Sequence, residues 1–332
     1  MNWMDFPNDG FCVHGLAWFE EDRPALRRLP ERLKDTFREP VWHLAQCPAG
    51  GRILFATDST HIGVRAKSPD YYVMNHITRI GQSGFDVYVD NRFMGSVSPD
   101  EKGNIEAQWH IQNAPGKVRN ICIHLPLYKS VVLEQIGLDE GATIHGHKEF
   151  ALEKPVVFYG TSITQGGCAS TPGTSYQNFV SRALNIDFIN LGFSGNGLGE
   201  PELAKAINEI ESSCLVIDHW ANKGKDYREN LPVFIGEIRK VHKTEPLIVM
   251  GPFFYTRDAL DGSLHEEQRK AGEEYVAAMR KAGDRNIHFF DGRRMITPET
   301  AFGLVDGVHP NSLGFYLMAQ AFTPFLKKVL KL

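Results

Sequence analysis

The sequence lacks the features that mark membrane, secreted and nucleic-acid-binding proteins. No segment approaches the run of about 18 apolar residues that would span a bilayer. The first residues, MNWMDFPNDGFCVHG, contain no basic stretch followed by an apolar one. The formal net charge is −4, and no long block of lysine and arginine occurs. We therefore expect no transmembrane helix, no signal peptide, and neither a nucleic-acid nor a membrane partner.

Cysteine is also scarce, and its pattern does not suggest disulfides. The chain has five cysteines and no C-x-x-C pair. They are Cys12, Cys47, Cys122, Cys168 and Cys214. An odd number of widely spaced cysteines is typical of reduced thiols, so we predict a cytoplasmic location.

The sequence pattern of the first half of the chain is typical of a β-rich domain. Short apolar or alternating runs predict strands at 51–57, 61–66, 84–89, 104–110 and 120–127. Turn-forming residues separate them at 89–92 and 113–116. Many short strands with regular turns favour a β-sandwich or jelly roll. The stretch 23–37 predicts one helix, with its Arg and Lys side chains on a solvated face.

The second half alternates apolar runs with amphipathic stretches. The runs predict strands at 156–159, 186–191, 215–218, 247–250 and 287–290. The amphipathic stretches predict helices at 175–184, 201–210, 227–241, 264–282 and 312–330. This alternation indicates an α/β domain, a five-stranded parallel sheet with helices on both faces. The change of pattern near 149–155 predicts two domains, 1–150 and 151–332.

Active sites of such sheets lie beyond the carboxyl ends of the strands, so the residues that follow each run are candidates. The first run ends in GTSIT, which contains Ser162. A serine acts as a nucleophile only with a base in hydrogen-bond reach and with donors for the developing oxyanion. The alternative is that Ser162 or Thr161 caps a helix.

Two further strand ends carry candidate oxyanion donors. The segment NLGFSGNGLG (190–199) offers unhindered glycine N–H groups, or else forms a flexible turn. It does not match the dinucleotide-binding fingerprint, because its glycines are spaced G-x-G-x-G and not G-x-G-x-x-G. The segment DHWANKG (218–224) contains Asn222, whose amide can donate without titrating, or which forms a turn before glycine.

The segment DGVHPN (306–311) precedes the last predicted helix. A carboxylate at Asp306 can bond one ring nitrogen of His309 and leave the other as a base, which is how a Ser-His-Asp triad works. The alternative is a surface turn with an exposed histidine. All four segments together are unlikely to arise by chance, and they favour a serine hydrolase.

In these four segments the second half resembles the SGNH hydrolases, also called GDSL-like esterases and lipases. The resemblance implies a flavodoxin-like fold, Ser162 as nucleophile, and Asp306 with His309 as its partners. It places oxyanion donors at Ser162, Gly195 and Asn222. The sequence departs from the family pattern at Thr161, where an aspartate is usual, and in A-N-K around Asn222. The first half resembles the β-sandwich of two-domain, carbohydrate-acting members.

The resemblance implies a carboxylic ester hydrolase that forms an acyl-enzyme and needs no cofactor. The expected substrate is a small-molecule or oligosaccharide ester, most simply an acetyl ester on a carbohydrate. Trp220, Tyr255 and Arg257 are candidate substrate contacts. Two alternatives stay open, an acyltransferase on the same fold and a non-catalytic carbohydrate-binding protein. A homo-oligomer is also left open.

Two other site types are disfavoured. An α/β-hydrolase would carry G-x-S-x-G, but Thr164 occupies the second glycine position. A zinc site would need a third ligand beside His145 and His147, and none is indicated nearby. We therefore predict no metal.

Overall fold

The first half of the chain forms two antiparallel sheets. The computed structural model describes residues 1–70, 72–111, 116–262 and 265–332. One sheet has the strand order β1-β9-β4-β7; the other has β10-β3-β8-β5-β6, with β2 paired to β3. These strands are β1 Asn2–Asp5, β2 Cys12–His14, β3 Arg52–Thr57, β4 His61–Lys67, β5 Phe85–Val89, β6 Arg92–Val97, β7 Asn104–His110, β8 Arg119–His124, β9 Val132–Leu138 and β10 Ile144–His145.

The two sheets face each other as a sandwich. Val64 and Ile136 of one sheet share a single buried core with Phe55 and Ile123 of the other. The predicted sandwich and its five predicted strands are confirmed. The sequence did not reveal strands such as Arg92–Val97, because that strand is mostly exposed and lacks an apolar alternation.

The hairpin between β5 and β6 follows the predicted turn at 89–92. Asp90 and Asn91 have φ values of 47° and 65°. Positive φ at both central residues is what a two-residue type I′ hairpin requires, and Asp and Asn tolerate it. The other predicted turn, at 113–116, lies for the most part outside the described residues.

Helices occur mainly in the second half. The five long predicted helices are confirmed to within a few residues at each end, except that residue 264 lies outside the described residues. No helix of the described ranges is long and apolar enough to cross a membrane. The helices are α1 Phe19–Asp22, α2 Glu39–Ala45, α3 Arg79–Ser83, α4 Ser162–Gln165, α5 Tyr176–Leu184, α6 Pro201–Ile207, α7 Trp220–Lys223, α8 Tyr227–Ile238, α9 Asp258–Asp261, α10 Glu266–Lys281 and α11 Ser312–Leu330.

The second half is built on a five-stranded parallel sheet. Its strand order is β12-β11-β13-β14-β15, or 2-1-3-4-5 counted within the sheet, as in flavodoxin-like folds. Helix α5 packs with α11, and α8 packs with α6 and α10. The predicted α/β fold is confirmed. The strands are β11 Val156–Gly160, β12 Phe188–Gly192, β13 Cys214–Asp218, β14 Leu247–Met250 and β15 Ile287–Phe290.

The helix predicted over 23–37 is wrong. Only a 3₁₀ helix forms there, over Glu31–Thr36. Pro24 and Pro30 interrupt the stretch, since proline cannot supply the N–H of a continuing helix. The prediction of a solvated basic face also fails at Arg28, which is only 1% exposed.

Arg28 instead binds backbone carbonyls from distant parts of the chain. Its Nε donates to Cys47 O at 2.7 Å and its Nη2 to Leu44 O at 2.7 Å. Its Nη1 donates to the carbonyls of Gly192 and Asn190 at the end of β12. One arginine side chain therefore connects the N-terminal segment to the central parallel sheet.

Candidate active site

The carboxyl end of β11 leads directly into the short helix α4. Thr161 is the N-cap residue of that helix, and its hydroxyl accepts a hydrogen bond from Ile163 N. Ser162 is the first helical residue, so its own N–H has no acceptor within the helix. The capping role that sequence reasoning left open for this turn therefore falls to Thr161, and the Ser162 hydroxyl is available for another partner.

The loop before α11 orients a histidine with a carboxylate. Asp306 Oδ1 accepts hydrogen bonds from Val308 N at 3.0 Å and His309 N at 2.8 Å. Its Oδ2 lies 2.7 Å from His309 Nδ1. Gly307 has a φ of +84°, and a Cβ there would lie 2.2 Å from the Thr256 hydroxyl oxygen. Glycine is thus needed for this turn to form.

Ser162, His309 and Asp306 form one hydrogen-bonded chain. Ser162 Oγ lies 2.9 Å from His309 Nε2, although the two residues are 147 positions apart. Because Nδ1 faces the carboxylate, we assign the ring proton to Nδ1 and the lone pair to Nε2. Ser162 is 8% exposed, and His309 is half-buried. In this arrangement the imidazole can accept the serine proton.

The Asp306 carboxyl is suited to remain ionised. Partial burial raises its pKa, but the hydrogen bonds from the His309 backbone and ring, together with the charge of His309, outweigh burial and lower the pKa below its usual value. An ionised carboxylate beside Nδ1 favours the protonated imidazole that forms when serine gives up its proton.

The three predicted oxyanion donors lie on adjoining strand ends. Asn222 Oδ1 accepts a hydrogen bond from Gly197 N at 3.2 Å, which leaves its Nδ2 group as a donor. Gly195 is exposed and has a φ of +67°, with open space around its Cα. The Ser162 N–H belongs to the start of α4. The geometry leaves each of these donors available, and their role in catalysis stays a prediction.

Gln165 and Tyr128 support the nucleophile turn, and sequence reasoning missed both. Gln165 Oε1 accepts from Ser194 N at 2.9 Å, and its Nε2 donates to Leu127 O at 3.0 Å. The Tyr128 hydroxyl donates to Ser162 O at 3.1 Å. These contacts join segments far apart in the chain, so no local pattern could have indicated them.

One of the predicted substrate contacts, Trp220, is contradicted by its burial. Trp220 is 1% exposed and packs against Phe253, Tyr255 and His265, so it cannot stack on a sugar ring. Tyr255 belongs to the same aromatic cluster, but it is 8% exposed, as Ser162 is, so its contact with substrate stays a prediction. The local sequence did not indicate whether these side chains point into the core or toward the cleft. Arg257 is exposed beside them, so its contact with substrate stays a prediction.

A buried carboxyl group lies behind the nucleophile turn. Asp218 Oδ2 accepts a hydrogen bond from the Thr164 hydroxyl at 3.2 Å. Burial raises the pKa of Asp218 to about 7, and the hydrogen bond from Thr164 only partly opposes it. The folded state therefore binds this proton more tightly than the unfolded state, where the pKa is about 3.9.

Replacing Asp218 with asparagine should change how stability depends on pH. With a raised folded-state pKa, the wild type loses stability as pH rises from about 4 to 7. The neutral asparagine removes this loss, so the variant should gain stability relative to wild type between pH 5 and pH 8, by at most ~3 kcal/mol. Urea unfolding of both proteins at the two pH values measures the difference. If the difference in free energy of unfolding between variant and wild type is the same at both pH values, Asp218 does not have a raised pKa.

The two histidines of the H-x-H motif have separate partners. His147 Nε2 lies 3.0 Å from His14 Nε2, and His145 Nε2 lies 3.0 Å from the Thr143 hydroxyl. Among the described residues, no three His, Cys, Asp or Glu side chains are grouped as metal ligands. All five cysteines are free thiols.

Comparison with known proteins shows which family models the chain matches. Residues 153–327 match the model of the GDSL-like lipase/acylhydrolase family, and residues 1–144 match that of the N-terminus of SGNH-hydrolase-type esterases. A search of curated proteins finds no match.

Several solved structures share this two-part architecture over most of the chain. A GDSL-like lipase candidate from Bacteroides ovatus is 29% identical, with a TM-score of 0.88, and the match covers 99% of this chain and 98% of that one. The salicylyl-acyltransferase SsfX3 from a tetracycline biosynthetic pathway is 21% identical, with a TM-score of 0.82 over 99% and 97% of the chains. A family two carbohydrate esterase from Clostridium thermocellum, solved with cellohexaose, is 17% identical, with a TM-score of 0.66 over 85% and 93%. The chain belongs to the GDSL-like lipase/acylhydrolase family.

Proposed function

We propose that this protein is a serine esterase that hydrolyses small acyl esters, with acetyl esters of carbohydrates as the leading substrate class. The observation that carries the proposal is the chain of contacts from Ser162 Oγ to His309 Nε2 at 2.9 Å and from His309 Nδ1 to Asp306 Oδ2 at 2.7 Å. These distances lie within the range needed for proton transfer between a nucleophile and its base.

The proposed reaction has two steps through an acyl-enzyme. His309 takes the Ser162 proton as the serine oxygen bonds to the ester carbonyl carbon, and then gives that proton to the leaving alcohol. A water molecule, deprotonated by the same ring, attacks the acyl carbon; the bond to Ser162 Oγ then breaks, the ring returns its proton to that oxygen, and the carboxylic acid leaves. Asp306 holds the imidazole in position and stabilises its positive charge in both steps.

The proposed oxyanion site uses the N–H groups of Ser162 and Gly195 and the Asn222 amide. The proposal for Asn222 is supported by the hydrogen bond that its Oδ1 accepts from Gly197 N, because this bond restrains rotation of the amide. Donors held in this way need no reorganisation when charge develops on the substrate oxygen.

Replacing Asn222 with alanine should lower kcat about 100- to 1000-fold, the usual effect of losing one oxyanion donor. KM should change little, because the interaction forms mainly in the transition state. Steady-state kinetics on p-nitrophenyl acetate would measure both constants. A tenfold rise in KM at unchanged kcat would instead make Asn222 a ground-state binding residue.

The carbohydrate part of the proposal is supported by the architecture shared with carbohydrate esterases. The first half of the chain also reaches the reaction centre, since the His76 ring lies 6.2 Å from that of His309 and is exposed. A sugar attached to the reacting ester would meet this part of the chain.

A second candidate is acyl transfer to an alcohol. The salicylyl-acyltransferase matches over 99% of this chain with a higher TM-score, 0.82, than the carbohydrate esterase, 0.66. Transfer and hydrolysis share the acyl-enzyme and differ only in whether an alcohol or water attacks it.

Turnover of acetylated oligosaccharides in the presence and absence of an added alcohol tests these candidates. We expect acetate release at a rate that the alcohol barely changes. Transfer of most acetyl groups to the alcohol would support the acyltransferase. Oligosaccharide binding without any turnover would support a non-catalytic carbohydrate-binding protein. The p-nitrophenyl acetate assay is the reference, because it does not depend on sugar recognition.

A further inference from the structure

Two adjoining cavities lie where the β-sandwich meets the parallel sheet. The outer cavity has a volume of about 260 Å³ and the inner one about 60 Å³. They share several lining residues: Leu54, Asn91, Cys122, Phe150 and Asn185. Asn185 precedes β12, whereas Ser162 follows β11, so the cavities lie at the opposite edge of the sheet from the candidate active site. They therefore form a separate site.

The inner cavity is lined by an arginine that has no ion pair. The Arg182 guanidinium lies 4.5 Å from the ring centre of Tyr88 and 5.0 Å from that of Phe179. Its Nη1 is buried and has no hydrogen-bond partner among the described residues. Buried charged groups are normally paired, because an unpaired donor loses its hydration without compensation. The Arg182 guanidinium thus has a buried donor, Nη1, without an acceptor.

Two other polar groups of the inner cavity are also unsatisfied. His124 is 3% exposed, and its Nδ1 has no partner. Asn178 uses its Nδ2 to donate to Pro172 O and to the Ser175 hydroxyl, which fixes the amide and leaves Oδ1 without a donor. The cavity therefore offers a cation, a ring nitrogen and an amide oxygen.

Two of the three nearby carboxylates already make ion pairs. Asp187 pairs with Arg52 at 2.6 Å and with His14 at 2.7 Å. Asp90 pairs with Arg119 at 2.7 Å. Asp86 Oδ2 accepts a hydrogen bond from Gly173 N at 2.7 Å, whereas its Oδ1 is buried without a partner among the described residues. Asp86 influences the charge of Arg182 but makes no ion pair within 4 Å of it. No carboxylate of the described residues thus lies within ion-pair distance of Arg182, and a ligand could supply the missing acceptor.

We propose that these cavities bind a small carboxylate that also carries hydroxyl groups, such as a sugar acid. The carboxylate fits Arg182, which can donate two parallel hydrogen bonds to it. A ligand hydroxyl supplies the donor that Asn178 Oδ1 lacks. The outer cavity is just below the usual range for small-molecule pockets, about 300 Å³ and above, so the ligand is no larger than a monosaccharide. Phe150 lines both cavities and provides an apolar wall for a ring face.

Calorimetric titration of the full chain with D-glucuronate tests this site, with D-glucose as the uncharged control. We expect glucuronate to bind and glucose not to bind. Arg182→Gln should weaken glucuronate binding about 10- to 100-fold, the effect of losing a charged hydrogen-bond pair. Arg228→Gln removes the same charge from an exposed helix and should leave binding unchanged.

A second variant tests the site independently, in case Arg182→Gln does not fold. Asn91 lies on the exposed β5–β6 turn at a φ of 65°, which aspartate tolerates. Asn91→Asp adds a negative charge to the wall of both cavities and should also weaken glucuronate binding. The proposal fails if wild type does not bind glucuronate, if glucose binds equally well, or if neither variant weakens binding. It does not depend on the esterase proposal, because hydrolysis of p-nitrophenyl acetate is measured separately.

Discussion

Replacing Ser162 with alanine should reduce hydrolysis of p-nitrophenyl acetate by at least about ten-thousand-fold. Removal of a serine nucleophile leaves only the contribution of the oxyanion donors and of substrate binding. Alanine fits the site without strain, because Ser162 is the first residue of α4 and Thr161 supplies the cap. The loss should therefore appear in kcat while the free energy of unfolding stays within about 1 kcal/mol of wild type.

A matched serine variant makes this result specific. Ser96 lies on strand β6 of the sandwich, so Ser96→Ala should retain full activity. Stoichiometric labelling by a fluorophosphonate should occur in wild type and in Ser96→Ala but not in Ser162→Ala. Equal activity of Ser162→Ala and wild type would show that Ser162 is not the nucleophile, and the proposed mechanism would fail with it.

Replacing Arg28 with methionine should destabilise the protein by about 3–5 kcal/mol, the range seen when a buried hydrogen-bond network is broken. The substitution keeps most of the side-chain volume but removes donors from the carbonyls of Leu44, Cys47, Asn190 and Gly192. Burial lowers the pKa of Arg28 to about 10, so the lost group is a cation at neutral pH. Urea unfolding would measure the change.

Arg32→Met is the matched control, because it alters an arginine in the same segment. Arg32 pairs with Glu21 and Glu209 at the surface, where such pairs contribute less than about 1 kcal/mol. Its unfolding midpoint should stay close to wild type. Equal effects of the two substitutions would mean that the carbonyl contacts of Arg28 add little to stability.

The parallel sheet was predictable from the sequence because its strands are buried on both faces. Val156–Gly160 and Cys214–Asp218 are buried along their whole length, and burial on two faces demands an uninterrupted apolar run. The candidate triad was predictable for a related reason. The carboxyl ends of such strands meet at one edge, so Ser162 could be expected near the loop that carries Asp306 and His309.

The remaining features depend on contacts between distant segments. Arg28 looks like a surface residue in its local sequence, but the carbonyls of Leu44 and Cys47 and those at the end of β12 satisfy it in a buried position. Gln165 and Tyr128 have no local signature, since their partners lie elsewhere in the chain. Trp220 follows a strand end as a substrate contact would, but its neighbours Phe253 and His265 enclose it.

The connection between the two halves of the chain, described above at Arg28, has a consequence for protein engineering. Side chains of the first half, including Leu29, Val41 and Leu127, belong to the same buried cluster as the parallel sheet. A gene fragment starting at residue 151 would encode a sheet with part of its apolar covering missing. Exchanging the first half for that of a relative would likewise replace one wall of the cluster. Chimeras in this family should therefore be designed with both halves inherited from one parent, or with their contact surface redesigned as a unit.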